Sequence, residues 1–197
     1  MKLRNKNLKI LKSNHVYSEE MEHDACGVGL VASTEGLKSR KVVEYGIDAL
    51  KAVWHRGAID ADGKTGDGAG IHIEIPKDFF EEKIEVTGHK HDNSELCVGM
   101  IFLPRNDYSA QEQCRTIVES ELTKRNFSIY GWRQVPVDPS VLGEKAEQTR
   151  PEITQVLFTY NDKKVVNKSL EQKLYETRRV IEKEALNNQL NNFYICS

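Results

Sequence analysis

With 197 residues, the chain is long enough for one domain with a sizeable core, or a domain plus a tail, and too short for two complete domains. Its 28 lysines and arginines against 30 aspartates and glutamates leave a net charge of −2. The basic residues are spread along the chain, which excludes a nucleic-acid footprint and a field that would steer acidic substrates.

No apolar run reaches the length of a membrane span, and the longest, around Val98 to Leu103, suits a buried strand; a soluble protein is expected. Cys26, Cys97, Cys114 and Cys196 are widely spaced, with no Cys-x-x-Cys pair and no secretory signal before them, which points to a reducing cytoplasm. Residues 1–25 begin basic (Lys2, Arg4, Lys6, Lys9, Lys12), turn acidic over 19–24 and contain no apolar stretch. They read as a short, poorly packed leader.

In chain order, Cys26 to Ala32 is small and apolar, as a strand buried on both faces would be. Ser39 can cap a helix whose Val43, Ile47, Leu50 and Trp54 recur at helical spacing and whose stop is Gly57. A glycine-dense loop, Gly63 to Gly70, leads into Ile71-His72-Ile73-Glu74-Ile75, an alternating strand with His72 facing water and Pro76 at its end. Cys97 to Leu103 is a further strand. Ser109-Ala110-Gln111-Glu112 is a capping box that opens a helix to about Lys124. Two strands follow, Phe127 to Val137 and Ile153 to Tyr160, separated by a looser segment around Leu142-Gly143. Ser169-Leu170-Glu171-Gln172 starts a second boxed helix with Leu170, Leu174, Ile181 and Ala185 along one stripe. Phe193 to Ser197 reads as a strand in which the sequence stops, so a domain incomplete at the C-terminus is expected.

Several constellations carry chemistry in principle. Gly63-Lys64-Thr65 echoes the end of a phosphate loop, but Ala58 stands where the first glycine belongs and a strand follows, so no helix N-terminus faces a phosphate. Asp60, Asp62 and Asp67 suggest calcium, yet Thr65 and Ile71 occupy the positions that need Gly and Glu. His89-Lys90-His91-Asp92 lacks a third ligand in register and is expected to be a solvated loop; no metal site is expected.

Cys26 is the most informative residue. Internal, it is a structural thiol at the head of a strand; exposed as a new N-terminus, it carries a thiol (pKa about 8.5) beside its own α-amine (about 7.7–8.0), so one residue supplies nucleophile and base. A pairing with His55 has no support in the spacing. The second group is His55-Arg56-Gly57-Ala58 with Gly66-Asp67-Gly68-Ala69-Gly70: such dense glycine permits close backbone approach, and Arg56 can anchor a carboxylate or order the loop. A helix stop followed by a turn would look the same.

Together, Ala25-Cys26-Gly27-Val28-Gly29, His55-Arg56-Gly57-Ala58 and Lys64-Thr65-Gly66-Asp67-Gly68-Ala69-Gly70 resemble the amino-terminal glutaminase domain of the glutamate synthase large subunit, within the class II glutamine amidotransferases. Gly131-Trp132-Arg133-Gln134-Val135-Pro136-Val137, Leu142-Gly143, Pro151 with Ile153 and Gln155, and Phe193-Tyr194-Ile195-Cys196-Ser197 agree in the same order, so the resemblance runs from about residue 21 to the end.

The resemblance implies an α+β, N-terminal-nucleophile hydrolase fold, a four-layer αββα sandwich of two antiparallel sheets between helices. Strand–helix alternation alone would favour a parallel sheet. It further implies a propeptide at 1–25 and the N-terminal part of the amidotransferase domain at 26–197. Cys26 would be the catalytic nucleophile, Arg56 and Gly57 would shape the pocket, and Asp67 and Gly68 would begin the neighbouring core strand. Glutamine is the implied substrate, and the partners are the remaining domains of the large subunit and a small subunit. No cofactor is expected in this segment; the parent is implied to use FMN, an iron–sulfur cluster and NAD(P)H or ferredoxin. The family's His-Asn-Gly and Arg-Phe-Ser-Thr segments, which supply the oxyanion donors and the substrate carboxylate clamp, do not occur here, so the isolated chain is expected to be inactive. Another N-terminal-nucleophile amidase and a noncatalytic remnant or binding module are the alternatives.

Overall fold

A computed structural model describes residues 27–53, 59–66, 68–91, 94–162 and 168–196. The chain divides into two compact units, residues 1–58 with 69–71, and residues 59–68 with 72–197.

In the first unit, α1 (Arg40–Ala52) forms where the spacing predicts it. Ser39 adopts extended backbone and its Oγ accepts from the Lys41 amide, satisfying one of the donors a helix start leaves open. Val43, Ile47 and Leu50 make a half-buried stripe. Trp54 and Gly57 lie outside the described residues; the helix reaches Ala52, with Val53 at its C-cap. The strand expected at 26–32 is not formed over Gly27–Ala32: Val28 and Leu30 are over nine-tenths exposed, and no neighbouring described strand takes their backbone groups. Small apolar residues make a strand only where a ladder partner and a cover exist.

The second unit is built on a four-stranded sheet of order β2-β3-β1-β4, with β1 (Leu96–Leu103), β2 (Phe127–Gln134), β3 (Glu152–Tyr160) and β4 (Tyr194–Cys196). Every neighbouring pair is antiparallel, with Val98 opposite Leu157, Trp132 opposite Val156 and Ile101 opposite Ile195. The parallel sheet that alternation favours is therefore absent, and the reason is topological. β1 and β2, joined through α3 (Tyr108–Lys124), do run the same way, but β3 lies between them. β3 and β4, joined across α5 (Lys168–Asn187), also share a direction, with β1 between. Each strand–helix–strand unit is split by one antiparallel strand, a recognised arrangement.

Strand alternation assigns the faces. Cys97, Ile101, Leu103, Val156, Phe158, Phe127 and Ile195 point to one side. There Cys114, Val118 and Leu122 of α3 and Leu170 and Ile181 of α5 close the main core. On the other side Leu96, Leu157 and Tyr130 pack against Phe80 and Ile84 of α2 (Lys77–Val86). Ile84, Ile101 and Val118 are fully buried, each such side chain stabilising the fold by about 1.5–3 kcal/mol relative to exposure.

Three expectations are corrected locally. Residues 71–75 form no strand: Ile71 and Ile73 are exposed, only Ile75 packs on a core, and Pro76 is the N-cap of α2, a helix the alternating pattern hides. The cap of α3 is Asp107, whose Oδ1 accepts from the Ala110 amide at 2.9 Å; Ser109 of the presumed box is already helical. The strand from Phe127 ends at Gln134 rather than Val137, because Pro136 has no amide to donate.

The histidine loop is not simply solvated. His91 is buried: its Nδ1 lies 3.0 Å from Glu81 Oε1, its ring meets the edge of Tyr130, and its Nε2 has no partner among the described residues. His89 is exposed and pairs with Thr87 Oγ1. Sequence polarity marked this segment as loop, but only packing against α2 and β2 buries one of its two imidazoles.

Candidate active site and its supporting loop

The glycine-dense segment begins as a closed turn. Ile59 and Gly66 form an antiparallel bridge, the Asp60 amide donates to Thr65 O at 2.7 Å, and the Gly63 amide donates to Asp60 O at 2.9 Å with Gly63 at a φ of 67°. Glycine enters that left-handed region without steric cost.

Asp62 organises the turn. Its Oδ1 accepts from the amides of Lys64 (2.9 Å) and Thr65 (2.7 Å), and its Oδ2 accepts from the Thr65 hydroxyl. It lies against the start of α4 (Glu144–Thr149), a helix whose N-cap residue, Gly143, has no side chain to offer. The Thr65 hydroxyl, then the Lys64 and Thr65 amides, hold the Asp62 carboxyl down at about 2. Lys145 Nζ reaches Asp60 Oδ2 at 2.6 Å and, with the Ala61 amide, keeps that carboxyl below its ordinary value. Asp60 and Asp62, two of the three aspartates weighed above as calcium ligands, are thus committed to the turn and to the helix beside it.

Gly143 is buried at this contact. Its φ of −76° and ψ of 163° suit any residue, so conformation does not require glycine. Space does: a Cβ there would collide with Thr65 Oγ1 and Asp62 Oδ2 and stand 2.5 Å from the Thr65 backbone nitrogen.

Cys26, Arg56, Gly57 and Asp67 lie outside the described residues. Gly68 is described and exposed, with open space where a Cβ would stand. The four other predicted site residues therefore have no geometry to report. Asp62, Gly143 and Lys145, which secure the neighbouring turn, were not singled out as site residues, although Leu142-Gly143 carries part of the resemblance.

The remaining thiols have settled environments. Burial pushes Cys97 up to about 12 and Cys114 up to about 11, and raises Cys196 as well. All three are free cysteines held as unreactive thiols at neutral pH. Among the described residues, no three His, Cys, Asp or Glu side chains converge to hold a metal, and no helix is long and apolar enough to cross a membrane.

The Gly131-Trp132-Arg133-Gln134 segment has a clear physical role. Tyr130 and Gly131 together oppose Leu157, so β2 carries one extra residue. The bulge turns Trp132 to the main-core side, where its Nε1 donates to Glu119 Oε1 at 2.6 Å and Arg115 lies 5.6 Å from its ring centre. Arg133 turns to the other side, donating to Gln155 Oε1 at 2.7 Å and standing over Phe79 of α2.

Comparison with known proteins bears on these segments together. The model of the class-II glutamine amidotransferases matches residues 26–197. The chain is 53% identical over 191 residues to the NADPH glutamate synthase large chain of Azospirillum brasilense, covering 97% of this chain and 12% of that protein. It is 36% identical over 193 residues to the ferredoxin-dependent glutamate synthase of Pyropia yezoensis, covering 96% of this chain and 12% of the relative. A chloroplastic ferredoxin-dependent glutamate synthase of Arabidopsis thaliana is 37% identical over 177 residues, covering 88% and 11%. The chain thus spans about an eighth of the length of the curated relatives it matches. With a family match across nearly all of the sequence, on an α/β framework with an antiparallel sheet, the chain belongs to the class-II glutamine amidotransferases.

Proposed function

We propose that this chain is the glutaminase portion of a glutamate synthase, with Cys26 as its nucleophile after removal of residues 1–25. The observation that carries the reading is where the family match begins: at Cys26 itself, the one cysteine that cleavage would place beside a free α-amine. Full burial of Cys97 and Cys114 and partial burial of Cys196 support the same choice, since desolvation raises all three thiols above their ordinary value.

In this reading the Cys26 sulfur attacks the side-chain amide carbon of glutamine. Its α-amine takes the thiol proton and returns it to the departing nitrogen, so that ammonia leaves as the thioester forms. Water then attacks the thioester, releasing glutamate and regenerating the thiol. Arg56 and Gly57 shape the pocket, and Asp67 and Gly68 are assigned to it; the core strand expected to open there is not formed over residues 68–76. The fold is a four-layer N-terminal-nucleophile sandwich in which the antiparallel sheet seen here is one of two.

The relatives' names tie them to NADPH or ferredoxin. FMN, an iron–sulfur cluster and the electron donor belong, in this proposal, to the rest of the parent polypeptide and a small subunit. The described cysteines do not fit a cluster: Cys97 and Cys114 are buried, and the three do not converge. A cytoplasmic setting suits free thiols.

The test is ammonia release from glutamine by the full-length polypeptide that carries this chain, with mass spectrometry of its mature N-terminus. Release that disappears in Cys26→Ser, from a protein beginning at Cys26, supports the proposal. Activity with the leader still attached removes the mechanism, and a correctly processed protein that releases no ammonia leaves the noncatalytic alternative.

A further inference from the structure

We propose that Asp62 and Gly143 are positioning residues that clamp the Asp60–Gly66 turn onto the start of α4, and that this clamp sets the affinity for glutamine. The proposal rests on the amidotransferase reading above, because Gly66 leads directly into Asp67 and Gly68, the residues assigned to the pocket region.

Three independent contacts build the clamp. One is polar: the Asp62 carboxylate takes the Lys64 and Thr65 amides and the Thr65 hydroxyl from its own turn, with Asp62 Oδ2 lying against Gly143 at the start of α4. A single side chain thereby closes the turn and packs it on a helix start whose N-cap residue, Gly143, has no side chain of its own. The second is steric. A Cβ at Gly143 would meet two side-chain oxygens and a backbone nitrogen, and the backbone nitrogen has no rotamer by which to move aside. The third is an ion pair across the same junction, Lys145 to Asp60 at 2.6 Å. The sequence feature Leu142-Gly143 and the feature Lys64-Thr65-Gly66-Asp67-Gly68, far apart along the chain, are in this way two sides of one contact.

A glycine-rich turn left to itself samples many conformations, and ordering it at the moment of binding weakens affinity. A turn already ordered by contacts outside the pocket avoids that cost. Loosening the clamp therefore acts on substrate binding more than on the chemical step at Cys26.

Hydrogen exchange over residues 59–70 and glutamine kinetics, both on the full-length polypeptide, test this. In Gly143→Ala and Asp62→Ala, the Lys64 and Thr65 amides lose protection by about tenfold, the equivalent of about one hydrogen bond. Glutamine KM rises by a similar factor of about ten, while kcat stays within about twofold. Asp62→Asn keeps an oxygen that accepts from both amides, so it restores most of the protection and of the KM; a role of charge alone would leave Asn as impaired as Ala. If Gly143→Ala also loosens β1 and β3, Asp62→Ala carries the test, since it only removes atoms. Unchanged protection in both variants overturns the clamp. Lost protection with unchanged KM overturns its role in glutamine binding. A wild-type protein that releases no ammonia overturns the amidotransferase reading and the assigned role with it, and the exchange data then report a structural clamp alone.

Discussion

The indole Nε1 of Trp132 donates to Glu119 Oε1 of α3 at 2.6 Å, a bond that exists because Tyr130 and Gly131 share one opposite residue, Leu157. Without the extra residue in β2, strand alternation would send Trp132 to the α2 side of the sheet and Arg133 to the α3 side. The bulge also brings Thr87, the C-cap of α2, against the backbone: a Cβ at Gly131 would stand 2.9 Å from Thr87 Cγ2, and Gly131 has a φ of 152°.

Gly131→Ala therefore destabilises the fold by about 1–3 kcal/mol through backbone strain, with crowding of Thr87 in addition. Urea denaturation reads the loss as a lower midpoint at unchanged slope. A midpoint within error of the wild type would mean that β2 does not need glycine at the bulge.

Trp132→Phe removes the indole donor while keeping most of the ring. The expected cost is about 0.5–1.5 kcal/mol, and Glu119→Gln, which retains an acceptor oxygen, costs less than Trp132→Phe. A double-mutant cycle between positions 119 and 132 measures the coupling, and zero coupling would remove the bond from the account.

Alkylation mapped by mass spectrometry at neutral pH separates the thiols. With ordinary values near 9.0, the rise to about 12 at Cys97 and about 11 at Cys114 lowers the thiolate fraction by roughly a thousandfold and a hundredfold. Cys26 is expected to label first, and Cys97 and Cys114 only after denaturation. Equal labelling of Cys97 and Cys26 in the native protein would count against Cys26 as the reactive thiol.

Stability should fall in acid over a defined window. Arg150, then Arg105, hold Glu147 down at about 2 from an ordinary 4.5, and Asp62 is held at about 2 from 3.8. Both carboxyls are depressed in the folded state, so their contribution is complete above their ordinary values and is lost as the pH falls from about 4.5 through about 2. Urea midpoints at pH 7 and pH 3 should differ less in Glu147→Gln than in the wild type. An identical difference in both would remove Glu147 from the acid response.

Helices and strands are legible in the sequence where local chemistry decides them. Ser39 and the spacing of Val43, Ile47 and Leu50 mark α1, and the stripe Leu170, Leu174, Ile181 and Ala185 marks the buried side of α5. Alternation fails at Ile71 to Ile75 because no described strand pairs with them, and the box read at Ser109 passes over Asp107, which backbone geometry places at the helix start.

From the sequence alone came the family and the presence of most core elements, since these depend on residue types and spacings that are fixed along the chain. The resemblance also implied antiparallel pairing, which the sheet shows; only the tertiary structure decided that β3 divides β1 from β2, that the His91 side chain is buried, and that Asp62 meets Gly143. Those facts depend on which distant segments become neighbours, and pairing direction, burial and steric clearance acquire values only once that choice is made.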